Sequence, residues 1–176
     1  MSDLSSDRLL ADVPRRARGF RLRPLLIVFV PLAGILFQVY MPRFFHYLGY
    51  IEVPLLTVVY FSLMQRQPVV GVLVGAVVGL AQDSLSQQPL GIFGIVKTLV
   101  GYFAASVSMR FDVDNPVIQF VLSFFFFVFH EFFKWVLIRA LLGQHLDFLI
   151  QQTLLFGLVN AVVAVPLFLI LDKIKE

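Results

Sequence analysis

The stretch Gly71 to Tyr102 reads GVLVGAVVGLAQDSLSQQPLGIFGIVKTLVGY. Gly71, Gly75 and Gly79 recur at every fourth residue. On a helix that spacing draws one bare stripe. Such a stripe lets a second backbone come close, which is how helices pack where water supplies no driving force. The stripe runs to Asp83, and a short polar turn, Ser84 to Gln88, follows. Pro89, Leu90 and Gly91 then open a second apolar helix that carries Gly94, Lys97 and Gly101. The expectation is a tight helical hairpin with an acid at its tip, and a bundle packed around it.

Composition says what solvent that bundle meets. Of 176 residues, 59% are hydrophobic and 14% charged, with a mean hydropathy of +0.88. Soluble domains run at about 45–50% apolar and about 25% charged. This chain lacks the polar surface to face water, so a bilayer is its solvent. The absence of cysteine excludes disulfides, zinc-thiolate sites and cysteine nucleophiles. Nothing points to nucleic acid.

Outward from the hairpin, further apolar runs cover about Leu25–Tyr40, Ile51–Met64, Pro116–Leu142 and Leu149–Leu171, beside Pro68–Gln82 and Leu90–Met109 of the hairpin itself. They are too long and continuous for the alternation of a barrel strand, so each reads as a helix. Ile51–Met64 and Pro68–Gln82 are shorter than the ~20 residues that cross ~30 Å of hydrocarbon. They must borrow flanking residues, or the membrane must thin. Basic residues ahead of the first run resemble a secretory signal, but no small-x-small cleavage site follows, so it is read as an uncleaved span. The expected class is all-α, a polytopic six-helix membrane bundle. Its parts are a basic cytoplasmic segment 1–24, a transmembrane domain 25–172 and a cytoplasmic tail 173–176.

Lysine and arginine set the expected orientation. With the N-terminus inside, Arg8, Arg15, Arg16, Arg18, Arg21, Arg23, Arg66, Arg110, Lys173 and Lys175 are cytoplasmic. Arg43 lies outside, Arg139 near the outer end of span five, and Lys97 and Lys134 within the membrane. Both termini are then cytoplasmic and the Asp83 turn faces outward. The N-terminal arginines set topology. They could also hold anionic lipid, at roughly 1 kcal/mol each near the surface.

Several polar residues fall in the outer half: Glu52, Asp83, Lys97, His130, Glu131, Lys134, Gln151 and Gln152, with Asn160 nearer mid-membrane. Ionisable groups at that depth pair or face the interior. Glu131 and Lys134, three apart, share a helix face, as do His130 and Lys134, four apart. Asp83 at a helix C-terminus opposes the dipole and wants a cation, which Lys97 can supply by snorkelling outward. The cluster is either a polar pocket or proton path, or internal pairing that orients helices. His46 and His145 lie in loops, and no phosphate-binding, Ser-His-Asp or His-Glu-x-x-His motif occurs. The run Phe124–Phe129 (FFFFVF) covers every face of its helix. It serves lipid contact and packing, or offers a surface to a partner's membrane helix.

The pattern Gly71, Gly75, Gly79, Asp83, polar turn, Leu90-Gly91, then Gly101 or Tyr102, resembles the rod shape-determining protein MreD family. Pro54-Leu55-Leu56 with Val59-Tyr60 also looks like that family's second span. The resemblance implies a non-enzymatic subunit of the bacterial elongation machinery, without cofactor or metal, in the inner membrane. It implies as partners MreC, the MreB filament, and the RodA glycosyltransferase with its penicillin-binding transpeptidase. Membrane lipids and a second copy of the chain remain further candidates. It also implies a fold similar to the substrate-binding subunits of energy-coupling-factor vitamin transporters. Gly71, Gly75, Gly79, Asp83 and Gly91 are then structural landmarks, while the polar His-Glu-Phe-Phe-Lys of span five departs from the family pattern. The leading expectation is a scaffold that docks MreC. A transporter subunit using the outer polar cluster is the alternative, weakened by span one, which offers Ala33-Gly34 in place of an Ala-x-x-x-Ala stripe. An intramembrane enzyme using His130 and Glu131 is a third class.

Overall fold

The computed structural model describes residues 24–175 apart from 87, 88, 90, 145 and 146. The basic segment 1–24 therefore lies outside the described residues but for Pro24, as do Leu90 and His145. The described residues form six helices: α1 Pro24–Tyr40, α2 Val53–Gln65, α3 Pro68–Leu85, α4 Ile92–Ser108, α5 Pro116–Leu142 and α6 Ile150–Lys175. Two 3-10 turns, Met41–Arg43 and His46–Tyr50, join α1 to α2. Four stretches are long and apolar enough to cross a membrane: Leu48–Gln65, Pro68–Leu85, Pro116–Leu142 and Ile150–Ile174. Ile27–Arg43 and Ile92–Ser108 are shorter apolar helices of the same bundle.

Helix starts follow local chemistry. Proline occupies the first turn of α2, α3 and α5, where its missing N–H costs nothing. Asn115 caps α5 by accepting from the Val117 N–H at 2.9 Å. Gly143 ends α5 in the left-handed region. The hairpin boundaries differ from expectation. Helix α3 continues through Ser84 and Leu85, and α4 starts at Ile92, so Pro89 and Gly91 belong to the turn.

The glycine stripe faces α4, and α3 with α4 is the most extensively packed pair. A Cβ on Gly71 would lie 2.8 Å from the Gly101 carbonyl carbon. On Gly75 it would lie 2.6 Å from that of Lys97, and on Gly79 2.7 Å from the Gly94 Cα. Each neighbour is backbone, so the two helices meet main chain to main chain.

Helix α2 is the axis of the bundle. Every residue from Pro54 to Met64 is buried, so a helix of 13 residues, about 20 Å long, meets protein on all sides. It borrows the turn before it rather than more helix. The Tyr50 carbonyl and the Glu52 N–H are held by Asn160, which lies about 15 Å along α6 from its first residue. Non-helical backbone is tolerated at such depth where protein covers it and supplies its hydrogen bonds. The far end of α2 is fixed by the Tyr60 hydroxyl, which donates to Asp172 at 2.7 Å. Among the phenylalanines, Phe126 and Phe127 are buried, Phe125 faces outward, and Phe124 and Phe127 close over Gly157 of α6.

Candidate functional site

Asp83 does not take the partner expected of it. It is buried, and its carboxylate accepts from three backbone N–H groups: Gly91 at 3.0 Å, Phe93 at 3.1 Å and Gly94 at 2.9 Å. These are unpaired donors at the start of α4, where the helix dipole also favours an anion. Helix α4 therefore supplies the positive end that Lys97 was expected to bring. Gly91 makes this geometry with a φ of +99°, which a side chain would strain.

Lys97 turns toward α2 and α5 instead. Fully buried, it places Nζ 3.6 Å from Glu52 Oε2, 3.4 Å from His130 Nε2 and 4.6 Å above the Phe93 ring. The His130 ring is also fully buried and lies parallel to Phe93, with centroids 6.0 Å apart. Its Nδ1 is 3.4 Å from Glu131 Oε1, to which Lys134 Nζ donates at 2.5 Å. Nε2 beside an ammonium acts as acceptor, which assigns the ring proton to Nδ1, facing Glu131. The result is a continuous chain, Glu52–Lys97–His130–Glu131–Lys134, with two carboxylates against two ammonium groups. A buried set of this kind persists where the charges compensate one another.

Glu52 heads this chain because Asn160 fixes it. Asn160 is fully buried, accepts from Glu52 N at 2.8 Å, and donates to the carbonyls of Tyr50 at 2.8 Å and Phe156 at 2.9 Å. The Glu52 side chain borders two cavities. One, of about 350 Å³, lies between α5, α6 and the turn before α2, against Tyr50, Glu131, Lys134, Trp135, Asp147, Phe148 and Gln152. The other, of about 400 Å³, is bounded by Gln38, Val39, Arg43, Gln82, Leu85, Ser86 and Phe93. Both open at the end of the bundle that carries the Asp83 turn.

The chain matches the family described as rod shape-determining protein MreD over residues 19–174. It belongs to that family. No curated protein and no solved structure matches it. Family membership gives the chain a role in rod shape determination, and with its long apolar helices it marks an inner-membrane protein.

Within this MreD-family fold the predicted residues fall into two groups. Gly71, Gly75, Gly79, Asp83 and Gly91 build the α3–α4 hairpin. Lys97, Glu131 and Lys134 join Glu52 and His130 in the polar chain. His130 and Lys134, expected on one face, part company: His130 points inward to Lys97, and Lys134 stays with Glu131. Gln151 and Gln152 are both exposed, and Gln152 borders the first cavity. Three residues carry weight that sequence reasoning did not give them. Gln38 and Gln82 carried no periodic or motif signal. Asn160 was noted for depth alone, and nothing in the sequence tied it to the start of α2. Among the described residues no group of three or more His, Asp or Glu side chains could hold a metal.

Proposed function

We propose that this chain is a non-enzymatic scaffold of the bacterial cell-shape machinery. It docks the membrane helix of MreC and helps position the RodA glycosyltransferase and its transpeptidase along MreB. The observation that carries this reading is an apolar groove of about 320 Å³ between α1 and α3. It is walled by Ile27, Val28, Pro31, Leu32 and Ile35 on one side and Leu73, Val74, Val77, Val78 and Ala81 on the other. Val28, Leu73 and Val77 are well exposed there. The glycine stripe is consumed inside the chain, so docking falls to a face with free aliphatic surface. Arg66, Arg110 and Lys173 gather at the end away from the Asp83 turn, which supports cytoplasmic termini. The polar cavities at the opposite end support an architecture like that of vitamin-transporter binding subunits.

Tryptophan at Leu73 or Val77 would fill the groove without touching the core. Expected is loss of MreC on mild-detergent co-purification, with rounded cells and normal membrane levels of the variant. A matched Leu155→Trp change on the exposed face of α6 should leave both intact. Full MreC recovery with both groove variants would overturn the proposal.

A further inference from the structure

The second cavity beside Glu52 collects unpartnered polar oxygens, three of them acceptors only and one the Ser86 hydroxyl. Gln38 Oε1, Glu52 Oε2, Gln82 Oε1 and Ser86 Oγ are each buried with no hydrogen-bond partner, and all four residues line it. Gln82 is 3% exposed and the Glu52 side chain 12%, so both are withdrawn from the outer surface of the bundle. Gln38 is oriented, since its Nε2 donates to the Gly49 carbonyl at 3.2 Å and leaves Oε1 for other partners. Lys97 approaches Glu52 Oε2 from the other side, at 3.6 Å, too far for a good hydrogen bond. Orphaned buried acceptors in such number ask for a ligand. The missing group must donate several hydrogen bonds and accept few. A primary ammonium has three N–H donors and no acceptor, which suits one carboxylate and two amide oxygens.

Its charge is also accommodated. Lys97, 3.6 Å from Glu52 Oε2, already shares that carboxylate. Across the two cavities, however, Glu52, Glu131 and Asp147 face only Lys97 and Lys134 among the described residues, while Arg43 at the rim is exposed and lies 5.4 Å from the Tyr40 ring centroid, so one further ammonium balances the set. A volume of about 400 Å³ lies in the range of small-molecule sites. We propose that this cavity binds a primary amine, its ammonium held by Glu52 Oε2 and the side-chain oxygens of Gln38 and Gln82. The amine comes either from a free small molecule or from the headgroup of an aminophospholipid. The site is independent of the α1–α3 groove and stands whether or not that groove docks MreC.

The test uses the full chain in nanodiscs of phosphatidylcholine and phosphatidylglycerol, neither of which has a primary amine. Added ethanolamine should raise the unfolding midpoint by roughly 5 °C near saturation. Choline, which has no N–H, and sodium should not. Glu52→Gln and, separately, Gln82→Met should remove the response, and Gln151→Met should keep it. If phosphatidylethanolamine in the disc raises the midpoint and abolishes the ethanolamine response, the source is the lipid headgroup. If ethanolamine acts without it, a free amine suffices. The proposal fails if neither form of amine shifts the wild-type midpoint, if choline or sodium shifts it equally, or if folded Gln82→Met responds as wild type does.

Discussion

Replacing Gly75 by alanine adds one methyl group at one of the close backbone contacts of the hairpin. Its Cβ would sit 2.6 Å from the Lys97 carbonyl carbon and 2.9 Å from the Thr98 Cα. Ordinary carbon contacts begin near ~3.5 Å, so α3 and α4 must part by about 1 Å. Neither neighbour is a side chain that can swing away. A gap of that size forfeits about a quarter to a half of each dispersion contact along the seam. Overpacking of this kind costs about 1–3 kcal/mol, against a gain of about 1 kcal/mol from replacing glycine within a helix. Because the obstructing atoms are backbone, the upper part of that range, about 2–3 kcal/mol, applies, and the net expectation is a loss of about 1–2 kcal/mol. For a chain of this size that lowers the unfolding midpoint by about 2–8 °C. The assay is thermal unfolding in nanodiscs, with Val69→Ala, an exposed position of the same helix outside the α1–α3 groove, as control. Gly75→Leu, whose further atoms meet backbone at once, should not form the hairpin. A Gly75→Ala midpoint equal to or above wild type would show that backbone contact does not hold these helices together, and would refute the reasoning.

Three other perturbations probe the same frame. Asp83→Leu strips three N–H groups of their acceptor and should cost about 3 kcal/mol or more, whereas Asp83→Asn keeps one acceptor and should cost less; both are read by thermal unfolding. Lys97→Met leaves Glu52 buried without its cation and should cost about 3–5 kcal/mol, and adding Glu52→Gln should recover a large part; strictly additive losses would argue against the pair. Because the chain has no cysteine, Ser84→Cys gives a single thiol at the exposed last turn of α3, which a membrane-impermeant maleimide should label from the periplasmic side; labelling only after lysis would reverse the topology.

The hairpin was legible because it rests on local chemistry. Glycine at every fourth position has one meaning on an apolar helix, and the proline-led helix starts are equally local. Asp83 shows where such reading stops. The sequence exposes an acid at a helix end and its need for positive charge. It does not show that the next helix turns its own N–H groups onto that acid, because this depends on a left-handed Gly91 and the angle of a turn. The polar chain divides in the same way. Glu131 and Lys134 are one turn apart, so helical periodicity pairs them. Glu52 and Lys97 meet because α2 starts deep in the bundle, and that depth is set by Asn160, far away in the chain. The two cavities follow from the same displacement. With α2 short and wholly buried, the turn ahead of it sinks below the ends of α5 and α6, and polar side chains rather than lipid line the space above. What makes this end of the bundle chemically distinctive is therefore a shortened central helix, a property no single motif records.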